Sequence, residues 1–501
     1  MNAAVNSWRI WMADFINDFL TSNMTYTSWT YFVLVLFIFI LYYAVPKRTQ
    51  WTVLLAGSTL FYYLAAGRDR KVCLVFVLTI AISYLGGLIL EKNRSRILRA
   101  VFLIASIGPL LLVKGNVFIG RYLPGGGLKT LIVPLGLSFY SLQIYSYLFD
   151  VYEERVEPQR NFFKYFLFVS YFPHIMQGPI PRYKDLKEQL FSGHSFDADR
   201  AVRGLQLVVW GFFLKYMIAE KAAVFVNAVF NRYEMYQGVF ALIAGILYSI
   251  QLYADFLACV CMCRGLSEAL GIELAENFKQ PYLSRSIQEF WRKWHMSLSS
   301  WLRDYVYIPL GGSRKGKMKK YVNLILTFLV SGAWHGNGYR FVLWGLLHAV
   351  YQILGDVLRP VNKRIKRLIG IRPDSVLEIY IDRGVTFFLV MLGWIVFRAN
   401  SIKASLIMIR SIFTVHNWWV LFDDSLLSLG LDWRNFVILL LSIHIMFKAE
   451  ATQQRTVIRD RIMRQPLIFR WILYLAAIAV IIIFGTYGFG YNASDFIYKG
   501  F

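Results

Sequence analysis

The sequence predicts an all-α integral membrane protein built from about a dozen transmembrane and re-entrant helices. Three observations lead there. Hydrophobic residues make up 57% of the 501, a balance soluble globular chains rarely reach. The apolar residues fall in successive runs nearly free of charge. The charges between the runs are mostly basic and clustered, with 54 Lys and Arg against 30 Asp and Glu, a formal net charge of +24. Basic clusters in short connectors are what loops facing anionic lipid in the cytoplasm look like. No soluble basic domain is left to carry nucleic-acid binding, so none is expected.

Residues 1–25 come first. Trp8, Arg9, Ile10 and Trp11, then Phe15, Ile16, Phe19 and Leu20, have the spacing of an interfacial amphipathic helix, and no cleavable signal peptide is evident. A membrane domain is expected over 26–490. Residues 28–45 carry no charge and suit a spanning helix; 51–66 is shorter, and 73–90 and 99–113 follow. Residues 131–149 begin Leu131, Ile132, Val133, Pro134, Leu135, Gly136, which reads as a broken or re-entrant entry. Runs at 164–180, 204–230 and 236–263 come next. After a mixed polar and aromatic stretch at 284–310, apolar runs return at 322–334, 341–354, 385–397, 436–447 and 471–490. Several are too short to cross a core of ~30 Å alone, so half-helices are expected. The polar stretches 181–203 and 360–382 read as loops or surface helices.

Charge gives a mixed topological signal. Lys47-Arg48, the cluster 68–71 and the cluster 92–96 flank successive runs, and strict alternation cannot put all three in the cytoplasm. The clusters 314–320, 363–367 and 455–464 are stronger cytoplasmic markers. Cys73, Cys259, Cys261 and Cys263 lack CxxC or zinc-ligand spacing and read as buried small hydrophobes; no metal is expected.

Chemistry concentrates between residues 276 and 314. Ser284 and Gln288 suggest a helix cap. Phe290, Trp294, Ser297 and Trp301 share one helical face, as do Trp291, His295, Leu298 and Leu302. A single amphipathic helix with a histidine among tryptophans is expected. A second feature, Ser331-Gly332-Ala333-Trp334-His335-Gly336, closes an apolar run. An ionisable residue at membrane depth is a functional candidate by default. An imidazole beside an apolar cavity serves as a general base near neutral pH, and a hydroxyl acceptor needs one. His174, His194, His348, His416 and His444 read as packing or hydrogen-bonding residues.

These residues resemble the membrane-bound O-acyltransferase family, in particular its bacterial branch of alginate and peptidoglycan O-acetylating proteins and the D-alanyl transferase of teichoic acids. Phe172-Pro173-His174 with Gln177-Gly178-Pro179-Ile180, residues 248–256, Glu276-Asn277-Phe278 with Pro281-Tyr282, residues 290–314 and Trp334-His335-Gly336 carry the likeness, over a motif core at about 165–350. The resemblance implies a ring of helices around a thin centre pierced by a tunnel. It implies His335 acting on the acceptor hydroxyl and His295 near the acyl donor, with Trp334, Asp255, Trp294, Arg303 and Asn277 contacting substrate. One departure stands out: relatives of the alginate type carry Asp-Phe-Ser-Gly-Tyr-Ser-Asp, where this chain keeps Asp255 but has Cys261 for the second aspartate.

The tail, 491–501, ends Phe496-Ile497-Tyr498-Lys499-Gly500-Phe501 and reads either as an interfacial anchor or as carrying an acyl relay at Tyr498. The expected reaction moves an acetyl group from a cytoplasmic thioester, acetyl-CoA, with Arg303 and Arg314 attracting its phosphates. No bound cofactor is expected. The expected partners are membrane lipid and an extracytoplasmic transferase of the SGNH serine-hydrolase type, acting on a cell-envelope polysaccharide at a bacterial cytoplasmic membrane. Alternatives are D-alanyl or other acyl transfer from a carrier-protein thioester to a teichoic acid-like polymer and, outside enzymes, a transporter or flippase, for which neither inverted repeats nor paired membrane carboxylates appear.

Overall fold

The computed structural model describes residues 24–119 and 133–487. The interfacial helix expected before residue 24 and the tail with Tyr498 lie outside the described residues. Every regular element among the described residues is helical. The chain forms two compact units.

Among the described residues, the first unit comprises 24–113, 133–201 and 267–274. Its helices are α1 (Trp29–Ala44), α2 (Gln50–Ala65), α3 (Arg70–Lys92), α4 (Arg96–Ile119), α5 (Leu137–Tyr152), α6 (Phe162–Ser170) and α7 (Tyr183–Phe191). Ser28 caps α1 by accepting from Tyr31 N–H, and Asp69 caps α3 by accepting from Lys71 and Val72 N–H. The expected re-entrant start of α5 is a turn, with Gly136 left-handed at φ 69°. A Cβ there would stand 2.4 Å from the Ile175 carbonyl oxygen.

The run expected over 164–180 stops being helical at Ser170, because Pro173, Gly178 and Pro179 break it. The irregular backbone that follows is buried, so its polar groups need partners. Side chains of α2 and of the segment before α1 supply some. Tyr26 Oη donates to Phe172 O at 3.0 Å and accepts from Met176 N–H at 3.2 Å. Ser58 Oγ accepts from Phe172 N–H at 3.1 Å.

Among the described residues, the second unit comprises 114–119, 202–266 and 275–487. It begins with α8 (Ala198–Phe213), a π-helical turn (Leu214–Ala219), α9 (Glu220–Asn231) and the largely buried α10 (Val239–Ala269). Two short helices, α11 (Ile287–Lys293) and α12 (Met296–Leu302), lead into a second π-helical turn, Arg303–Tyr307. Then come α13 (Lys317–His335), α14 (Tyr339–Val357), α15 (Arg359–Leu368), α16 (Val376–Arg398), α17 (Ile402–Thr414), α18 (Trp433–Gln453), α19 (Ile458–Met463) and α20 (Leu467–Phe484).

The structure corrects the reading of 284–310 as one capped helix. The cap is Ser286, whose Oγ accepts from Glu289 N–H at 3.1 Å while Glu289 accepts from Arg285 N–H at 2.8 Å, close to a capping box. The helix then breaks at Trp294 and His295, where His295 is left-handed at φ 44°, ψ 56°.

α13 and α14 form a tight antiparallel hairpin. A Cβ on Gly332 would lie 2.2 Å from Phe341 O, and one on Gly345 would lie 2.2 Å from Phe328 O, so only glycine permits this approach. His335 sits 18 residues beyond Lys317, about 27 Å along the axis.

Six helices among the described residues are long and apolar enough to cross a membrane: α3, α4, α10, α16, α18 and α20; α14 with α15, bent by 58°, makes a seventh. The other expected segments form shorter or more polar helices, as the half-helix expectation anticipated.

Helix direction sorts the connectors of the second unit into two ends. At one, Lys320 and Arg359 pair with Asp356 at 2.7 and 3.4 Å, and Lys366 pairs with Asp382 at 2.5 Å. Arg285 pairs there with Asp374 at 2.8 Å, and Gln280 donates to Glu450 O at 2.6 Å. The basic clusters 314–320, 359–372 and 455–464 gather at this end. At the other end, connectors 232–238, 336–338, 399–401 and 415–432 hold Arg232 as their one Lys or Arg. Asn417 links two of them, accepting from Val239 N–H at 2.9 Å.

Candidate active site

Histidines and tryptophans from α11 to α16 meet inside the second unit. His335 closes α13 and is 2% exposed. Its imidazole is walled edge-on by Trp334, Trp344 and Phe397, with ring centroids at 4.8, 5.0 and 5.6 Å. His295, 1% exposed, stands at the break between α11 and α12 and lies edge-on to Phe256 of α10 at 4.7 Å. The Trp334 indole is also 6.3 Å from the His295 ring, so one side chain borders both imidazoles.

The break that aims His295 is stabilised by Asn277. Its backbone carbonyl accepts from Met296 N–H at 2.9 Å, and its Oδ1 accepts from Ser297 N–H at 3.3 Å. Two N–H groups of α12 are thereby satisfied. The buried Nδ2 of Asn277 has no partner among the described residues, which leaves a donor beside the strained histidine. Trp294 stacks on Phe290 at 5.4 Å and packs on Trp394 at 5.0 Å, continuing the aromatic wall.

His348 belongs to the same cluster, although its sequence setting read as packing. It is fully buried on α14, with its ring 5.1 Å from both Trp344 and Trp291. Trp291 Nε1–H donates to its Nδ1 at 3.3 Å, which fixes the tautomer with the proton on Nε2. Gly393 makes room for that nitrogen: a Cβ there would stand 2.6 Å away. A sequence signal was available in the i,i+4 spacing of Trp344 and His348, but the partner Trp291 is 57 residues away.

Two expected substrate contacts stand differently. Asp255, on α10, is held in a buried ion pair with Lys215 at 2.7 Å, and Lys215 also meets Glu220 at 2.5 Å. This triad sits at the π-helical turn, where the extra residue swings Lys215 inward. Arg303 is exposed at the second π-helical turn and pairs with Asp304 at 2.9 Å. The structure thus gathers His335, His295, Trp334, Trp294 and Asn277, ties Asp255 to a lysine, and leaves Arg303 on the surface. Cys259, Cys261 and Cys263 are buried and Cys73 is partly exposed. No group of three or more His, Cys, Asp or Glu among the described residues is arranged to hold a metal ion.

The arrangement offers buried imidazoles in an aromatic enclosure with an amide donor at its edge. Such a site suits proton transfer to and from an uncharged hydroxyl or thiol.

Residues 24–397 match the membrane-bound O-acyltransferase family. A probable alginate O-acetylase of Pseudomonas putida is 37% identical over 291 residues, covering 58% of this chain and 57% of that protein. A peptidoglycan O-acetyltransferase of Helicobacter pylori is 34% identical over 307 residues, 55% of this chain and 56% of its own. A teichoic acid D-alanyltransferase of Bacillus subtilis is 29% identical over 319 residues, 61% of this chain and 79% of its own. The chain therefore spans just over half the length of the O-acetylating relatives.

Proposed function

The chain belongs to the membrane-bound O-acyltransferase family, and from that premise we propose that it moves an acetyl group from a cytoplasmic thioester, acetyl-CoA, toward hydroxyls of a cell-envelope polysaccharide. The observation that carries the proposal is the meeting of His295 and His335 at the two sides of Trp334.

His335 takes the proton of the attacking hydroxyl as its oxygen bonds to the thioester carbon. The carbonyl becomes a tetrahedral oxyanion, which Asn277 Nδ2–H and the His295 ring are placed to steady. Collapse breaks the C–S bond, and the leaving thiolate takes the proton from His335. Trp334 and Trp294 exclude water. Asp255 acts here through Lys215, shaping α10 rather than touching substrate. Arg303, exposed at the second π-helical turn, and Arg314, in the basic cluster 314–320, attract the donor's phosphates. The positive-inside rule puts that end in the cytoplasm of a multi-pass protein of the bacterial cytoplasmic membrane. The Tyr498 hydroxyl is the first acceptor in this reading; its aryl ester is activated enough for an extracytoplasmic SGNH-type transferase to pass the acetyl on.

The likeness to a teichoic acid D-alanyltransferase over 79% of that protein's length favours a second reading, aminoacyl transfer from a carrier-bound thioester. One experiment separates the two. Purified protein is given labelled acetyl-CoA, and the C-terminal peptide is read by mass spectrometry. Label on Tyr498 that disappears in His335→Ala, with the variant still folded in the membrane, is the expected result. Transfer retained by His335→Ala removes that residue from the mechanism; turnover only with a carrier-protein thioester selects the second reading.

A further inference from the structure

We propose that the charge-poor end of the second unit carries a binding site for a polyhydroxylated oxyanion, built on Arg340, Arg398 and the cavity beside them. Arg340 lies in the first turn of α14, and Arg398 is the last residue of α16. Arg340 donates to the carbonyl of Ala399, the residue after Arg398, which makes the two side chains neighbours. Their other partners are neutral. Arg340 lies over the Phe341 ring at 4.6 Å. Arg398 lies over Phe230 at 5.5 Å and donates to Asn227 Oδ1 at 2.7 Å. Among the described residues neither guanidinium meets a carboxylate.

That arrangement needs an explanation. Two neighbouring guanidiniums repel each other, and the positive-inside rule disfavours them at this end. At the basic end some of the cations, Arg285, Lys320, Arg359 and Lys366, have carboxylates in contact. An anion from outside the chain supplies what Arg340 and Arg398 lack. Guanidinium forks suit carboxylate and phosphate oxygens. The N-terminus of α14 and the C-terminus of α16 meet there, so their dipoles offset one another and the attraction for an anion comes from the two guanidiniums.

The cavity says what else the ligand carries. Its volume is about 430 Å³, and Asn227, Asn231, Arg232, Tyr236 and Ser428 line it. Asn227 is shared between this cavity and Arg398. Two amides, a phenol and a hydroxyl are a set for hydroxyl groups, and the size is that of a small-molecule site. A carboxylated saccharide and a glycerophosphate headgroup both have this chemistry. The site borders the histidine cluster without belonging to it: Phe341 and Phe397, next to the two arginines in sequence, pack at 5.2 Å, and Phe397 walls His335. The inference deepens the acyl-transfer reading by describing what arrives at the outer side, and it rests on that reading for orientation only.

Binding to the full chain in uncharged-lipid nanodiscs tests it by calorimetry. The probes are a hexuronate disaccharide, glycerol phosphate, and the neutral hexose disaccharide and glycerol as their counterparts. At least one anion should bind, its neutral counterpart about tenfold more weakly or worse. Arg398→Gln should lower affinity about tenfold, and the exposed Arg232→Gln, which threatens no buried contact, by a similar factor. Whichever anion binds assigns the source. His335→Ala should bind as the unaltered protein does, so a failed transferase assay and a failed binding site are told apart. Neither anion binding, equal binding of charged and neutral probes, or affinity unchanged in both arginine variants overturns the proposal.

Discussion

The tautomer of His348 is set by one hydrogen bond, and that bond makes it more than filler. Replacing His348 by Ala removes the acceptor of Trp291 Nε1–H in a fully buried place. An orphaned donor of this kind costs about 1–3 kcal/mol, before any cavity is counted. Thermal unfolding in detergent should show the loss, and His348→Gln, whose amide oxygen can accept, should recover part of it. His295 presents the opposite case, since its side chain is not what makes the backbone turn. The left-handed conformation is imposed by Asn277, which takes the N–H groups of residues 296 and 297. Asn277 and His295 were both legible as candidate site residues from their motifs, and the structure brings them together. The way one aims the other was not, because the link is a backbone contact across 20 residues.

Among the elements, the π-helical turn between α8 and α9 carries the heaviest electrostatic load. Lys215 faces two carboxylates, Asp255 and Glu220, in a place where all three are nearly inaccessible. Lys215→Met should therefore destabilise the protein by about 3–5 kcal/mol, the cost of stranding buried charge, and pairing it with Asp255→Asn should restore part of the loss. Yield of folded protein from membranes and its unfolding temperature check both. Hydropathy foretold a helix over 204–230 but not its bulge, since a π-turn adds one residue without interrupting an apolar run. The same blindness hid the break at His295. Phe290, Trp294, Ser297 and Trp301 keep a helical spacing through it, so periodicity alone describes a helix that tertiary contacts divide. Long charge-free runs such as 73–90, inside Arg70–Lys92, were legible because lipid demands them, whereas the end of the helix within 164–180 was not, since buried irregular backbone is as apolar as a helix.

For the whole molecule, the sorting of charge in the second unit is a topological statement that labelling can check. Lys363→Cys, at the basic end, should react with a membrane-impermeant maleimide only after cells are opened. Ser425→Cys, in a connector at the charge-poor end, should react in intact cells. The buried Cys259, Cys261 and Cys263 should stay silent, and Cys73→Ser removes the remaining background. The reverse pattern would invert the orientation and move the donor to the other side. The three conflicting clusters near residues 47, 70 and 94 obscured this in the sequence, because they belong to the other unit, where the shorter α1 and α2 precede the long, apolar α3 and α4.

The depth of His335 has an electrical consequence. It lies about 27 Å along α13 from Lys317, which starts the helix at the basic end. On the proposed reading, a group handed from the cytoplasm to His335 crosses part of the membrane's voltage drop. An acetyl group is neutral and does no electrical work on the way. A D-alanyl group carries an ammonium, and moving it outward against an inside-negative potential costs up to about 2.3 kcal/mol per 100 mV. Collapsing the potential of proteoliposomes with an ionophore should leave acetyl transfer unchanged and speed aminoacyl transfer, so a voltmeter becomes a test of substrate.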